Sequence, residues 1–275
     1  MQKVVLSEPL RTAIGAFGGT LKDTNSAKLG ATVVKEILDR TGIDPKEIDD
    51  CIMGNILGAG QGMNVSRQIS IEAGLPVETP AVTINRVCGS GVQSIALAAQ
   101  AIKAGDAEAI IAGGTENMNL APFYLPKARY GYRMGMPKDE IVDGMVYDGL
   151  WDIFNDYHMG VTAENLAESY NISKDEQDEF AYKSQQKCKA AQDEGRFKDE
   201  IVPVLIPQRR GDPLAFDRDE HPKGDTTLEA LKSLRPVFKV GGTVTAGNAS
   251  GINDGAAAIL VSSEKKAKDL GLKPV

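Results

Sequence analysis

Apolar positions along the chain switch between two periods, and the switches mark its elements. Val4-Val5-Leu6 is a short unbroken apolar run, as in a buried strand. From Ser26 to Thr41, Leu29, Val33, Ile37 and Leu38 recur on one face at helical spacing, with Asn25 or Ser26 as the cap. A second strand reads between Ile48 and Leu57, and a second helix from Asn64 to Ala73, stopped by Gly74 and Pro76. A third pair follows: Ala81-Val82-Thr83-Ile84, introduced by Pro80, then a helix carrying Val92, Ile95, Ala96, Ala99 and Ile102 up to Gly105. The fourth strand, Ala109-Ile110-Ile111-Ala112, ends in Gly113-Gly114. This alternation predicts an α/β fold whose largely parallel sheet is covered by helices, with any site at the C-terminal ends of its strands.

Beyond Thr115-Glu116-Asn117-Met118 the pattern changes. Residues 120–245 hold most of the prolines, the single Trp151, both histidines and dense charge, and they read as an α+β insertion. Inside it, Met159 to Tyr170 is helical, and Ser173 with Glu176 three residues on forms a capping box for another helix. Val202-Pro203-Val204-Leu205-Ile206 reads as an edge strand, because its proline cannot complete a ladder. The small-residue loop from Gly241 to Gly251 leads to a core strand, Ala256 to Val261, and Ser263 to Leu270 is a last helix. The expected division is a core over 1–119, an inserted domain over 120–245, and completion of the core over 246–275.

Composition narrows the function. No apolar run approaches the roughly 20 residues that span a bilayer, and the N-terminus lacks a secretory pattern, so a cytoplasmic protein with no membrane partner is expected. Three cysteines at unrelated spacings fit a reducing compartment. A net charge of −7 argues against a nucleic-acid partner. Gly58-Ala59-Gly60-Gln61-Gly62 has Met63 where a dinucleotide fingerprint needs its third glycine, and reads as a turn. No Cys/His cluster has metal-ligand spacing, so no metal is expected.

The chemistry concentrates at Asn85-Arg86-Val87-Cys88-Gly89-Ser90-Gly91. Here a strand stops and a helix starts, and unpaired N–H groups with the helix dipole favour a thiolate at Cys88. The glycines flanking Ser90 leave room for an incoming group and a tight turn. The residues themselves leave two readings of Cys88, a small buried side chain or an activated nucleophile. Cys51, in a strand, and Cys188, in a helix among lysines, read as structural.

Five stretches together make the chain similar to the biosynthetic thiolases, acetyl-CoA C-acetyltransferases. They are Arg11-Thr12-Ala13-Ile14-Gly15, the Cys88 turn, Ile111 to Met118, Tyr157 to Asn165, and Gly242 to Ala256. The resemblance implies the N-terminal and loop domains of the thiolase fold, a mixed, mostly parallel five-stranded sheet interrupted by the inserted domain, with the second half of the fold absent. It implies a reversible Claisen condensation in which two acetyl-CoA give acetoacetyl-CoA and CoA, with Cys88 as acyl acceptor and ping-pong kinetics. It also implies CoA contacts at Leu150, His158 and Met159, at Ala246, Ala249 and Ser250 of a pantetheine loop, and at Lys223, where the family often carries arginine. CoA thioesters are then substrates, no cofactor is needed, and a homo-oligomer is expected. Without the resemblance, His158 reads as a satisfied helix-start histidine. Arg209, Arg210, Arg218, Lys223, Lys232 and Arg235 are a candidate basic cluster for the CoA phosphates, with a solvated surface as the default for all but Lys223.

The family's Gly-His-Pro motif, which activates the nucleophile, and its Cys-x-Gly-Gly-Gly turn are not in these residues. His221-Pro222 follows Glu220 in a charged stretch and is not given the base role. The expectation is an acyl-accepting part that is inactive alone and needs the missing C-terminal thiolase domain as partner. Two other classes compete. A non-catalytic CoA-binding or scaffold subunit is disfavoured by retention of the whole Cys88 turn. Another cysteine-dependent condensing enzyme, such as a ketoacyl synthase, is disfavoured by the long insertion and by Asn248-Ala249-Ser250-Gly251.

Overall fold

A computed structural model describes residues 2–132 and 141–275, and the chain divides into two compact units. The first comprises Met1–Ala121, Lys198–Glu220 and Asn253–Val275; the second comprises Pro122–Phe197 and His221–Ile252. In chain order the first unit opens with β1 (Val4–Thr12), β2 (Gly15–Ala16), α1 (Ser26–Thr41), β3 (Asp50–Gly54), α2 (Val65–Glu72), β4 (Ala81–Ile84), α3 (Ser90–Ala104) and β5 (Ala109–Asn117). The second contributes β6 (Phe123–Tyr124), β7 (Val142–Asp143), α4 (Gly144–Gly149), β8 (Trp151–Asp152), β9 (Tyr157–His158), α5 (Met159–Ser169) and α6 (Lys174–Asp193). The chain returns as β10 (Ile201–Val202), β11 (Val204–Ile206) and β12 (Leu214–Phe216), leaves for α7 (Leu228–Ser233), and ends with β13 (Asn253–Ser263) and α8 (Glu264–Asp269).

The α1 helix forms where its pattern predicts. Asn25 Oδ1 accepts the Lys28 N–H at 2.8 Å, and Leu29, Val33 and Ile37 are fully buried. Gly42 stops the helix in the left-handed region, its N–H bonded to Leu38 O at 2.9 Å. Alternation on the strands feeds two cores. Cys51 and Met53 of β3, Ile111 of β5 and Leu260 of β13 lie with α1 and α2 in one buried cluster. Ile52, Ile110 and Ile259 lie with Ala98 and Ile102 of α3 in the other. A sheet covered on both faces explains why its strands read as unbroken apolar runs.

Among the described residues the sheet has seven strands, ordered β10-β1-β13-β5-β3-β4 with β2 also paired to β13. The expected five are the long ones; the two additions, β2 and β10, are two residues each and too short to leave a pattern. The sheet is mixed, as expected, with β1, β2, β3, β4, β5 and β10 running one way and β13 the other. β3 pairs in parallel with β4 and β5, and β1 with β10, but β13 runs antiparallel to β1, β2 and β5.

The expected 120–245 insertion is not one piece. Lys198–Glu220 belongs to the first unit, because β10 extends the sheet beside β1 and the Arg11 guanidinium holds both Glu200, at 2.6 Å, and Asp219, at 2.7 and 3.0 Å. The Glu220 carboxylate accepts the Ala16 N–H at 2.9 Å and the Thr20 hydroxyl at 2.8 Å. Pro203 divides the predicted edge strand into β10 and β11, and β11 pairs instead with β12. The chain rejoins the first unit at Asn253 rather than at residue 246. No helix among the described residues is long and apolar enough to cross a membrane. Arg11→Met removes a bidentate partner from Asp219, whose side chain is 9% exposed. Urea unfolding should show a loss of about 2–4 kcal/mol, and limited proteolysis should cut first within 198–220.

Candidate active site

Between β4 and α3 the chain is pinned into a sharp turn by its own polar side chains. Asn85 Oδ1 accepts the Val87 N–H at 2.9 Å. Ser90 Oγ accepts the Arg86 N–H at 2.8 Å and donates to Val87 O at 2.6 Å. These bonds hold Val87 at φ +50°, a region that a β-branched residue occupies only under constraint, at a cost of about 1–3 kcal/mol. Cys88 follows, exposed, one residue before the N-cap Gly89. It therefore lies just outside the helix rather than in its first turn.

Missing side chains let the helix start settle on the strand ends. A Cβ on Gly54 of β3 would lie 2.6 Å from Ser90 Cβ and 2.9 Å from Gly91 N, and one on Gly114 of β5 would lie 3.4 Å from Gly91 Cα. A Cβ on Gly91 would meet nothing within 4 Å, so that glycine leaves open space beside Cys88. Cys88 borders two clefts. One, of about 310 Å³, includes the polar side chains of Asn55, Glu116 and Asp254; the other, of about 440 Å³, is lined by apolar groups such as Leu10, Val92 and Ile259. Arg11 borders both.

Two carboxylates of the smaller cleft had no role assigned from sequence, although both sit in the quoted motifs. Burial pushes the Glu116 carboxyl above the ordinary range, against hydrogen bonds from Ile56 N–H at 2.9 Å, Leu57 N–H at 3.0 Å and Asn55 Nδ2 at 2.8 Å. Burial likewise raises Asp254, which accepts from the Asn119 side chain at 2.6 Å and from the Met118 N–H at 2.9 Å. The signal for both was a charge set beside small residues, with Gly113-Gly114-Thr115 before Glu116 and Gly255-Ala256-Ala257 after Asp254.

The other expected contacts lie in the second unit. Leu150 caps α4, and its carbonyl accepts the Met159 N–H at 2.8 Å. His158 closes the β8–β9 hairpin and caps α5: its Nδ1 accepts the Gly160 N–H at 2.9 Å, so in the neutral ring Nε2 carries the proton. Its ring stacks on Phe238 with centroids 4.8 Å apart. The satisfied helix-start reading of His158 thus describes its Nδ1, and Met159 beside it is exposed. Ala246, Ala249 and Ser250 lie in a loop held by Asn248, whose Oδ1 accepts the Thr245 N–H at 2.7 Å. Lys223 is exposed, with its N–H bonded to Gln185 Oε1 at 2.7 Å.

The residues of the expected basic cluster belong to both units. Arg209, Arg210 and Arg218 belong to the first unit, and Lys223, Lys232 and Arg235 to the second. His221 packs against the glycine loop: a Cβ on Gly251 would lie 2.1 Å from its ring.

Residues 4–265 match the family model for the thiolase N-terminal domain. The chain belongs to the thiolase family. It is 56% identical over 272 residues to the acetyl-CoA acetyltransferase of Pseudomonas aeruginosa, covering 99% of this chain and 69% of that relative. It is 57% identical over 274 residues to that of Syntrophomonas wolfei, covering 100% of this chain and 69% of the relative. Among solved structures, the Bacillus anthracis acetyl-CoA acetyltransferase superimposes with a TM-score of 0.95 at 41% identity, covering 100% of this chain and 69% of the other. The protein is accordingly an acyltransferase of the thiolase kind.

The cysteines of this thiolase should separate by reactivity. Cys51 is fully buried, and burial pushes its thiol up to about 12. At about pH 8 only roughly one such thiol in ten thousand is ionised. Iodoacetamide should therefore modify the exposed Cys88 in the native protein and reach Cys51 only after unfolding in urea, as read by peptide mass.

Proposed function

We propose that this thiolase takes the acetyl group of acetyl-CoA onto Cys88 Sγ and passes it to a second acetyl-CoA, giving acetoacetyl-CoA and CoA, and that it runs the reverse thiolysis. The Cys88 thiolate attacks the thioester carbonyl, the C–S bond to CoA breaks, and CoA leaves and takes up a proton. The second acetyl-CoA then loses an α-proton; its carbanion attacks the acyl-enzyme carbonyl, and Cys88 leaves as thiolate. The thioesters supply all the atoms transferred, so no cofactor takes part. The observation that carries this reading is the pinned, strained turn that leaves Cys88 exposed beside two clefts. Leu150, His158, Met159, Ala246, Ala249, Ser250 and Lys223 hold the CoA portion in this proposal.

The 275 residues contain neither Gly-His-Pro nor Cys-x-Gly-Gly-Gly. In this reading they carry the acyl-accepting half of the chemistry, and a C-terminal thiolase domain supplies the base and the second thiol. A cytoplasmic homo-oligomer completes the proposal. Incubation of the chain with acetyl-CoA, acid quenching and peptide mapping should place a +42 Da label on Cys88, absent from Cys51 and Cys188 and lost in Cys88→Ser. A chain that stays unlabelled, even with a thiolase C-terminal domain added, while Cys88 alkylates normally would overturn the reading.

A further inference from the structure

The loop carrying Ala246, Ala249 and Ser250 is held by two buried carboxylates that the thioester chemistry does not use. Glu164 of α5 is 3% exposed and Asp178 of α6 is fully buried. Glu164 Oε1 accepts the Val244 N–H at 2.7 Å and the Thr243 N–H at 2.9 Å; Oε2 accepts the same Thr243 N–H at 2.8 Å and the Thr243 hydroxyl at 2.9 Å. Asp178 Oδ1 accepts from Asn248 Nδ2 at 2.9 Å, and Asn248 Nδ2 also donates to Thr243 O at 3.1 Å. Lys174 balances Asp178 at 2.6 Å and donates onward to the carbonyls of Leu231 and Lys232 in α7. Glycines admit these partners: a Cβ on Gly242 would lie 2.4 Å from Glu164 Oε1, and one on Gly247 would lie 2.6 Å from Leu231 and Leu234 side chains.

Burial acts to raise the Glu164 carboxyl, but the bonds from Val244 and Thr243, with Lys239 nearby, outweigh it and hold it below its ordinary range. The ionised form is thus the one built into the fold. Charge-assisted bonds in a dry setting are strong and directional. A loop of alanine, glycine and serine offers a ligand mostly backbone and one hydroxyl, so its affinity depends on how well that backbone is fixed beforehand.

We propose that Glu164 and Asp178 are positioning residues, which hold the Thr243–Gly251 loop in the shape that accepts the CoA portion of the substrate. The inference rests on the CoA reading given above. They set affinity for CoA and leave acyl transfer at Cys88 to the other unit's own residues. In Glu164→Gln an amide N–H₂ faces donors where an oxygen accepted them, and in Asp178→Asn the partner of Asn248 loses its charge.

The experiment measures CoA affinity by calorimetry and amide hydrogen exchange on the whole ligand-free chain, for wild type, Glu164→Gln, Glu164→Asp, Asp178→Asn and the same-helix control Glu168→Gln. Glu164→Gln and Asp178→Asn should each weaken CoA binding about tenfold or more, the loss of one charge-assisted hydrogen bond. Exchange at Thr243, Val244 and Thr245 should rise while exchange inside α5 and α6 stays as in wild type. Glu164→Asp should recover part of the affinity, and Glu168→Gln should match wild type. Native iodoacetamide modification of Cys88 should be unchanged in all. Equal CoA affinity in wild type and both neutral variants overturns the inference and spares the function proposed. Exchange that rises throughout α5 and α6 overturns it in favour of general destabilisation. A wild-type chain that binds no CoA overturns the CoA reading itself.

Discussion

The architecture depends on β13 running between β1 and β5, antiparallel to both. It brings residues from the end of the chain against strands laid down at its start, and the fit is one of small side chains. A Cβ on Gly113 of β5 would lie 2.1 Å from Ala257 O of β13, and the neighbouring β13 residues are Ala256 and Ala258. The same scarcity of side chains continues to Gly54, Gly114 and Gly91, where the start of α3 meets the strand ends. Bulk anywhere along this seam would push the helix outward and take Cys88 with it. Packing of the sheet and presentation of the thiol are therefore one constraint.

The two units solve different physical problems. In the first, a turn is held in an unfavourable backbone conformation so that a thiol emerges at the end of a strand. In the second, charge buried in helices is spent on backbone N–H groups so that a loop poor in side chains acquires a fixed shape. A nucleophile needs exposure with rigidity; a cradle for a narrow flexible arm needs rigidity without bulk. Short polar side chains do the first, as Asn85 and Ser90 show, and buried carboxylates do the second.

Local chemistry was legible in the sequence where a few adjacent residues decide it. The Asn25 cap, the Ser173–Glu176 capping box and the strand-to-helix turn at Cys88 all appear where they were read. Direction and long-range pairing were not legible. An apolar run buried on both faces carries no mark of which way it runs, so Ala256 to Val261 read as a core strand without a direction. The return of 198–220 to the first unit depends on Arg11 and Asp219, 208 positions apart, and nothing near either announces the other. Glu164 and Asp178 were missed for the opposite reason: a charge on a charged helix reads as solvated surface, and only the fold shows that it faces inward.

Backbone strain gives the candidate site an independent signature. Among the described residues, five that are not glycine have positive φ: Glu8, Asn64, Val87, Asp156 and Asn171. Asn and Asp tolerate that region, since their short polar side chains can bond locally. Glu and Val do not, so the strain that needs a cause is confined to Glu8 and Val87. Glu8 lies at the register shift where β1 bulges between Ser7 and Leu10, and a bulge re-aims the residues that follow it. Those residues, Pro9, Leu10 and Arg11, border one Cys88 cleft, and Val87 borders the other. Both strained positions thus shape the walls around a single thiol. Arg11, turned by the bulge and tied to Asp219, links that wall to the segment that returns from the second unit, so an ion pair between residues 208 positions apart and the local strain meet at the walls of the same clefts.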